Sequence, residues 1–138
     1  GIPMNIRELS LSFEGCSNVT DRGVQHLSLA LATLHRLERL QLDFLGCKRL
    51  TDIGLGHLAR SLPSTLTKLR LDFAKCTSIG LVGVTALAQS LPPGLREFAS
   101  TFRGTELDMN FESVEQLSRA VRDAQNSRTQ NGRGRLRS

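Results

Sequence analysis

Three cysteines offer the most versatile chemistry in this 138-residue sequence, because a thiolate can bind a metal, form a disulfide or act as a nucleophile. Cys16, Cys47 and Cys76 are spaced 31 and then 29 residues apart, so none belongs to the CxxC pair that is typical of zinc sites. Similar residues surround each cysteine, and on neighbouring strands the three would lie in a line with a spacing of about 5 Å. A line of ligands cannot surround a metal tetrahedrally. We therefore predict no metal site and three buried thiols, each closing a turn.

Two histidines, His26 and His57, are the next candidates for chemistry, since imidazole is a common general base. They occupy equivalent positions, each directly before an apolar residue, and a catalytic residue would not normally be duplicated in this way. No serine or cysteine nucleophile has a paired base at a recognisable spacing. Gly23, Gly54 and Gly83 form neither a GxGxxG motif nor a phosphate-binding loop. We predict no enzymatic activity, no cofactor and no nucleotide site.

The surroundings of these residues repeat along the chain. A block with the pattern Leu-x-Leu-x-Phe-x-x-Cys occurs at residues 9–16, 40–47 and 69–76. A second block follows each cysteine and contains an apolar residue, a glycine and a helix-like apolar pattern. A fixed period of about 30 residues indicates stacked structural units, none of which can bury its apolar face alone.

Each unit combines two kinds of hydrophobic periodicity. Leu40, Leu42 and Phe44 alternate with polar residues, which predicts a short strand with one buried face. The block after the cysteine has apolar residues at i, i+3 and i+7, which predicts a helix with one buried stripe. Asp21 and Asp52 each follow a threonine, where a side-chain oxygen can cap the start of its own helix. The stripe residues are Val24, Leu27 and Leu31, then Leu55, Leu58 and Leu62, then Val84, Leu87 and Leu91, and in a fourth unit Val114, Leu117 and Val121.

The pattern LxLxxC is matched by residues 42–47 and is followed by an apolar residue, TDxG and a helix. Over residues 6–124 the units resemble leucine-rich repeats, in particular the ribonuclease-inhibitor-like and cysteine-containing types. The resemblance implies an α/β leucine-rich repeat solenoid: a short horseshoe with parallel strands on the concave face and helices on the convex face. It also implies a protein-binding scaffold.

The predicted organisation has three parts. Residues 1–5 are an N-terminal lead-in, the repeats span about 6–36, 37–65, 66–94 and 95–124, and 125–138 form a basic tail that we predict to be disordered. In the fourth unit Phe102 is placed at the central strand position and no cysteine follows, which is typical of a terminal repeat. No polar cap precedes Ile6, so we expect further repeats or a subunit to cover the N-terminal edge.

The outward-facing strand residues are the predicted binding surface, because equivalent residues of successive units form rows across the sheet. Their mixed charges, in a chain without tryptophan or tyrosine, indicate either a polar contact surface for a protein partner or an ordinary solvated face. The candidate partner-binding residues are Glu8, Ser10, Ser12, Arg39, Gln41, Asp43, Lys68, Arg70, Asp72, Glu97 and Thr101.

Three alternatives remain open from the sequence. The formal net charge is +5, and the tail arginines, together with Arg39, Lys68 and Arg70, could bind nucleic acid or an acidic partner. The chain could be a fragment of a larger repeat protein. It also resembles repeat proteins that regulate GTPases through a loop arginine, for which Arg49 and Arg103 are candidates. The few cysteines favour a reducing compartment, cytoplasm or nucleus, and we expect no membrane span.

Overall fold

A computed structural model describes the backbone of residues 5–137 and the side chains of residues 5–128. Most of the predicted lead-in therefore lies outside the described residues. Strands and helices alternate along the chain until the fourth strand, which is followed by one further short strand and the last helix. The elements are β1 (Glu8–Ser12), α1 (Asp21–Leu31), β2 (Arg39–Asp43), α2 (Asp52–Arg60), β3 (Lys68–Asp72), α3 (Leu81–Ser90), β4 (Glu97–Thr101), β5 (Asn110–Phe111) and α4 (Val114–Arg137).

The five strands form one open sheet in the order β1-β2-β3-β4-β5. The first four strands are parallel, and β5 pairs antiparallel with β4. The predicted α/β class with parallel strands is confirmed. Equivalent residues of successive units are direct partners, so the predicted pairing of the outward-facing residues in three rows is also confirmed. In strand order the rows are Glu8, Arg39, Lys68 and Glu97; then Ser10, Gln41, Arg70 and Ala99; then Ser12, Asp43, Asp72 and Thr101.

The alternating residues of each strand separate as expected. Leu40 and Leu42 are buried, while Gln41 between them is exposed. Consecutive helices pack against one another, and their apolar stripes join the inward strand residues in one buried cluster. Leu27, Leu62, Leu91 and Val114 of the predicted stripes are only half-buried, because they lie at the margins of that cluster.

A stack of phenylalanine rings runs through the core at the end of the strands. The ring centroids of Phe13 and Phe44 are 5.3 Å apart, those of Phe44 and Phe73 5.5 Å, and those of Phe73 and Phe102 5.4 Å, all with nearly parallel planes. Phe111 ends the stack by meeting Phe102 edge-on at 6.1 Å. Such aromatic contacts add about 0.5–1.5 kcal/mol per pair beyond the burial of area.

The register of β4 corrects the sequence prediction for the fourth unit. Ser100, not Phe102, pairs with Leu71 and holds the central strand position. Phe102 stacks on Phe73 and is thus the equivalent of the earlier phenylalanines. The alternation Phe98-x-Ser100-x-Phe102 hides this register in the sequence, because a small polar residue replaces the expected leucine. The Ser100 hydroxyl is buried without a hydrogen-bond partner among the described residues.

The helix starts also differ from the prediction. Thr20 and Thr51 are the residues that cap α1 and α2, through hydrogen bonds from Gly23 N and Ile53 N. Asp21 and Asp52, predicted to cap their own helices, instead reach the next unit. The Asp21 carboxylate accepts from the Thr51 and Gly54 amides, and that of Asp52 accepts from the Gly80 amide. The units are therefore joined by polar as well as apolar contacts.

The last helix is longer than the repeat pattern predicts. Its backbone is helical through Arg137 and so includes residues 125–137, for which the sequence predicts disorder. The buried residues Leu117 and Val121 anchor its first half. Once that half has formed, the helix can be extended without repeating the unfavourable nucleation step, although Gly132 and Gly134 are poor helix formers. Within the described part of the chain, no helix combines the length and apolar character needed to cross a membrane.

Candidate binding face of the sheet

The outward side of the sheet holds the predicted partner-binding residues. Each of them is exposed or half-buried, and equivalent residues lie beside one another across the parallel strands. Nine of the eleven line two shallow grooves, and Ser12 and Glu97 lie outside both. The nine residues are Glu8, Ser10, Arg39, Gln41, Asp43, Lys68, Arg70, Asp72 and Thr101.

The larger groove has a volume of about 520 Å³ and lies over β2 to β5. Arg70 and Arg103 bring positive charge to it, and Asp43, Asp72 and Glu112 bring negative charge. The smaller groove, about 60 Å³, lies over the beginnings of β1 to β3 and contains Arg39, Lys68 and Arg70 together with Glu8. The smaller groove therefore holds three basic residues and one acidic residue, and the larger groove holds two basic and three acidic residues.

One of the three rows has a structural task. Ser12, Asp43, Asp72 and Thr101 each end a strand, and in every case the side-chain oxygen accepts a hydrogen bond from the amide two residues later. The distance is 2.9 Å for both aspartates and 3.4 Å for Ser12 and Thr101. These residues shape the turn that follows each strand. The sequence prediction assigned them to partner binding and did not identify this local role.

The basic residues of the first two rows differ in how well their charge is balanced. Lys68 forms an ion pair with Glu97 at 3.4 Å, and both side chains are largely exposed. Arg39 and Arg70 are exposed and form no hydrogen bond or ion pair with residues 5–128. Arg39 lies between Lys68 on β3, a like charge, and Glu8 on β1, an opposite charge with which it forms no ion pair. Arg70 lies between the uncharged residues Gln41 and Ala99, so both arginines leave their guanidinium groups without a carboxylate contact among residues 5–128.

Strand β5 adds residues that the repeat analysis missed. Asn110 and Glu112 flank the buried Phe111 and line the larger groove. The side chains of Thr101 and Asn110 are hydrogen-bonded to each other. The signal in the sequence is the alternation of Leu107, Met109 and Phe111 with polar residues, which is typical of a strand but does not follow the repeat period.

The cysteines form a line of contacts between units. The thiol of Cys47 donates to the Phe13 carbonyl at 3.3 Å, and that of Cys76 donates to the Phe44 carbonyl at 3.0 Å. Burial raises the pKa of Cys47, and it raises the pKa of Cys76 to about 12, so both remain protonated donors near neutral pH. Cys16 is exposed, which corrects the prediction that all three are buried. Cys16 follows β1, which is an edge strand, so no neighbouring unit among the described residues covers its thiol.

The other residues considered for chemistry lie apart from one another. His26 is exposed on α1 and His57 is half-buried on α2, and neither imidazole is hydrogen-bonded to a nucleophile or carboxylate within residues 5–128. Arg49 is exposed, and the Arg103 guanidinium donates to the Asp108 carbonyl at 3.0 Å. In the same part of the chain no three histidine, cysteine or carboxylate side chains are grouped to hold a metal ion.

The basic tail contributes one described contact. Arg128 is paired with Glu106, whose second carboxylate oxygen accepts from the Leu81 amide at 3.1 Å. This arginine is thus engaged in holding α4 near the start of α3. The side chains of Arg133, Arg135 and Arg137, on which the nucleic-acid alternative partly depends, lie outside the described residues.

No protein-family model matches the chain, and a comparison with curated protein sequences finds no significant match.

Proposed function

We propose that this chain is a leucine-rich repeat scaffold without enzymatic activity, which binds a protein partner through the outward face of its sheet. The repeating strand, turn and helix units, each in register with the next, support a solenoid with the strands on its concave side. Such a scaffold presents a fixed array of side chains, so that little conformational entropy is lost on binding.

The observation that carries this proposal is the pair of unpaired arginines, Arg39 and Arg70. Arginine is enriched among the residues that dominate binding energy, because its guanidinium can donate several hydrogen bonds to one carboxylate. Both side chains line the smaller groove, and neither forms a hydrogen bond or ion pair with residues 5–128. The partner segment is therefore expected to place acidic residues over Arg39 and Arg70.

The third row fits a supporting role in this proposal. Asp43 and Asp72 each use one carboxylate oxygen for a turn and line the larger groove. They give that end of the face a negative charge, which would favour a basic or hydrogen-bond-donating part of the partner. The two grooves would thus bind parts of the partner that differ in charge.

The test compares binding by three forms of the 138-residue chain: the unchanged sequence, a variant with Arg39→Glu and Arg70→Glu, and a control with Arg119→Glu and Arg122→Glu. The control changes the same number of charges on exposed positions of α4. Partners are captured from nuclease-treated extract of the source cells and identified by mass spectrometry, and affinity is then measured with the purified partner.

A protein that binds the natural and control forms at least ten times more tightly than the strand-face variant would support the proposal. Equal binding by all three forms would contradict it. A fourth form that ends at residue 124 tests the nucleic-acid alternative. Recovery of nucleic acid without nuclease, with a steep loss of affinity in salt and upon this truncation, would favour that alternative instead.

A further inference from the structure

The first unit differs from the next two in how well its side chains are covered. Phe44 and Phe73 are 0% exposed, whereas the equivalent Phe13 is only half-buried. Cys47 and Cys76 are buried, whereas Cys16 is exposed. The free edge of β1 and the adjoining side of α1 thus leave a continuous apolar strip partly exposed among the described residues. It consists of Ile6, Leu9, Leu11, Phe13, Val19 and Leu27.

Backbone amides at the start of α1, on the same edge, indicate that a partner there would supply a carboxylate. In the second unit the Asp21 carboxylate lies 2.8 Å from the Thr51 amide and 3.0 Å from the Gly54 amide. Each such carboxylate comes from the preceding unit, and in the first unit no carboxylate among residues 5–128 meets Thr20 or Gly23. At the start of α1 the Gly23 amide donates only to the Thr20 hydroxyl, at 3.5 Å, and the carboxylate that the second unit receives from its neighbour has no counterpart among the described residues.

The glycines support this comparison independently. A Cβ atom on Gly54 would lie 2.4 Å from the Asp21 Oδ1 atom, and one on Gly83 would lie 2.5 Å from the Asp52 Oδ1 atom. A Cβ atom on Gly23 would meet nothing within 4 Å. Because glycine weakens a helix relative to alanine, Gly23 is unfavourable for α1 unless a carboxylate approaches it closely.

The opposite end of the described structure is closed. Leu81 stands where the earlier units have aspartate, so no carboxylate is passed on to α4. The start of α4 is capped from within its own segment, where the Gln116 amide donates to the Ser113 hydroxyl at 3.1 Å. Phe111 covers the last ring of the stack. The two ends of the stack are therefore not equivalent, and only the first has unmet contacts.

We infer that the edge formed by β1 and α1 is a docking surface for a further strand-and-helix unit of the same type. The strand of the incoming unit pairs in parallel with β1, and its phenylalanine stacks on Phe13. Its backbone carbonyl accepts from the Cys16 thiol, and its aspartate, at the first position of its helix, accepts from Thr20 and Gly23. This inference concerns the edge of the sheet and stands independently of the function proposed for the outward face.

The experiment supplies such a unit. A copy of residues 37–65 is joined directly to Ile6, because Ile6 is the equivalent of Leu66, which follows these residues in the natural chain. The matched control carries Asp52→Asn in the copy alone. Thermal unfolding, the reaction rate of Cys16 with a thiol reagent, and the mass in solution are measured for the natural, extended and control chains.

Gly23→Ala provides the decisive comparison. In the natural chain the substitution raises Tm by about 3 °C, since alanine favours the helix and nothing obstructs its Cβ atom. In the extended chain it lowers Tm, because the copied aspartate occupies that space. Cys16 reacts at least ten times more slowly in the extended chain than in the natural one, and the control is less stable than the extended chain.

Either of two results would overturn the inference. One is a Gly23→Ala substitution that stabilises both chains while Cys16 stays equally reactive. The other is a natural-length chain that dimerises and thereby protects Cys16, which would identify a second copy as the occupant of the edge.

Discussion

The carboxylate of Asp21 and the amide of Gly54 lie 3.0 Å apart although 33 residues separate them in the sequence. This contact joins the start of one helix to the start of the next, and the same carboxylate also accepts from the Thr51 amide. The absence of a side chain on Gly54 makes the approach possible. The contact is therefore a specific link between units that apolar packing alone would not supply.

Replacing Asp21 by alanine is expected to lower the free energy of unfolding by about 2 kcal/mol, because partly buried amide donors lose a charged acceptor. Asp52→Ala should cost less, since Glu106 caps the same end of α3 through the Leu81 amide. Urea unfolding measures both effects. Glu14→Ala, at an exposed position, is the control, and an equal loss in that variant would contradict the assigned contact.

Leu42→Ala should cost about 2–5 kcal/mol, because Leu42 is 0% exposed and its truncation leaves a cavity in the shared core. Gln41→Ala, one position earlier and exposed, should change the free energy of unfolding by less than about 0.5 kcal/mol. Chemical denaturation of the pair is the measurement. Similar losses at the two positions would mean that the inward and outward assignment of β2 is mistaken.

The buried thiol of Cys76 should make the fold sensitive to alkaline pH. Its pKa is raised to about 12 in the folded chain, against about 8.5 for a free thiol. The unfolded chain therefore loses this proton first, and stability falls as pH rises between those values, by at most about 1.4 kcal/mol per pH unit. Urea unfolding at pH 8 and pH 10 tests this. Cys76→Ala should flatten the pH dependence, and an unchanged slope would show that other groups cause it.

Lys75→Gly should stabilise the chain by roughly 0.5–1 kcal/mol. Lys75 has a φ angle of 61°, while Gly15, Gly46 and Gly104 hold the equivalent position with φ angles of 70°, 75° and 80°. A lysine there has a strained left-handed backbone that glycine relieves, although glycine also gains entropy in the unfolded chain. The reciprocal change, Gly46→Lys, should destabilise by about 1–2 kcal/mol. Thermal unfolding of the two variants should therefore shift Tm in opposite directions.

The repeat period was enough to predict the first four strands, the helices that follow the first three of them, and the pairing of the outward-facing strand residues. Because equivalent residues of parallel neighbours lie side by side, the row that contains Arg39 and Lys68 followed from the sequence alone. The buried positions followed from the periods of 2 and 3.6 residues for the same reason. The turn role of Asp43 did not follow, since an exposed aspartate at a strand end is equally compatible with binding and with a local hydrogen bond.

Features that depend on contacts between units were less predictable. The reach of Asp21 to Gly54 depends on helix placement that a single unit does not determine. The exposure of Cys16 depends on which neighbours are present, not on the residues around it. The central residue of β4 was predicted wrongly because Ser100, which holds that position, is small and polar and breaks the apolar alternation. The candidate face could thus be located from the sequence, whereas the charge balance within it could not.

The phenylalanine stack and the cysteine contacts lie in the connections between strands and helices, and these connections have a fixed length whereas the helices do not. The connection from each strand to its helix contains eight residues in all three units. The helices that follow contain 11, 9 and 10 residues. A ring and a thiol inside the short connection must meet their counterparts on the neighbouring unit, so an inserted residue there would displace both. Evolutionary insertions and deletions would accordingly be accommodated at the far ends of the helices, where the three units already differ.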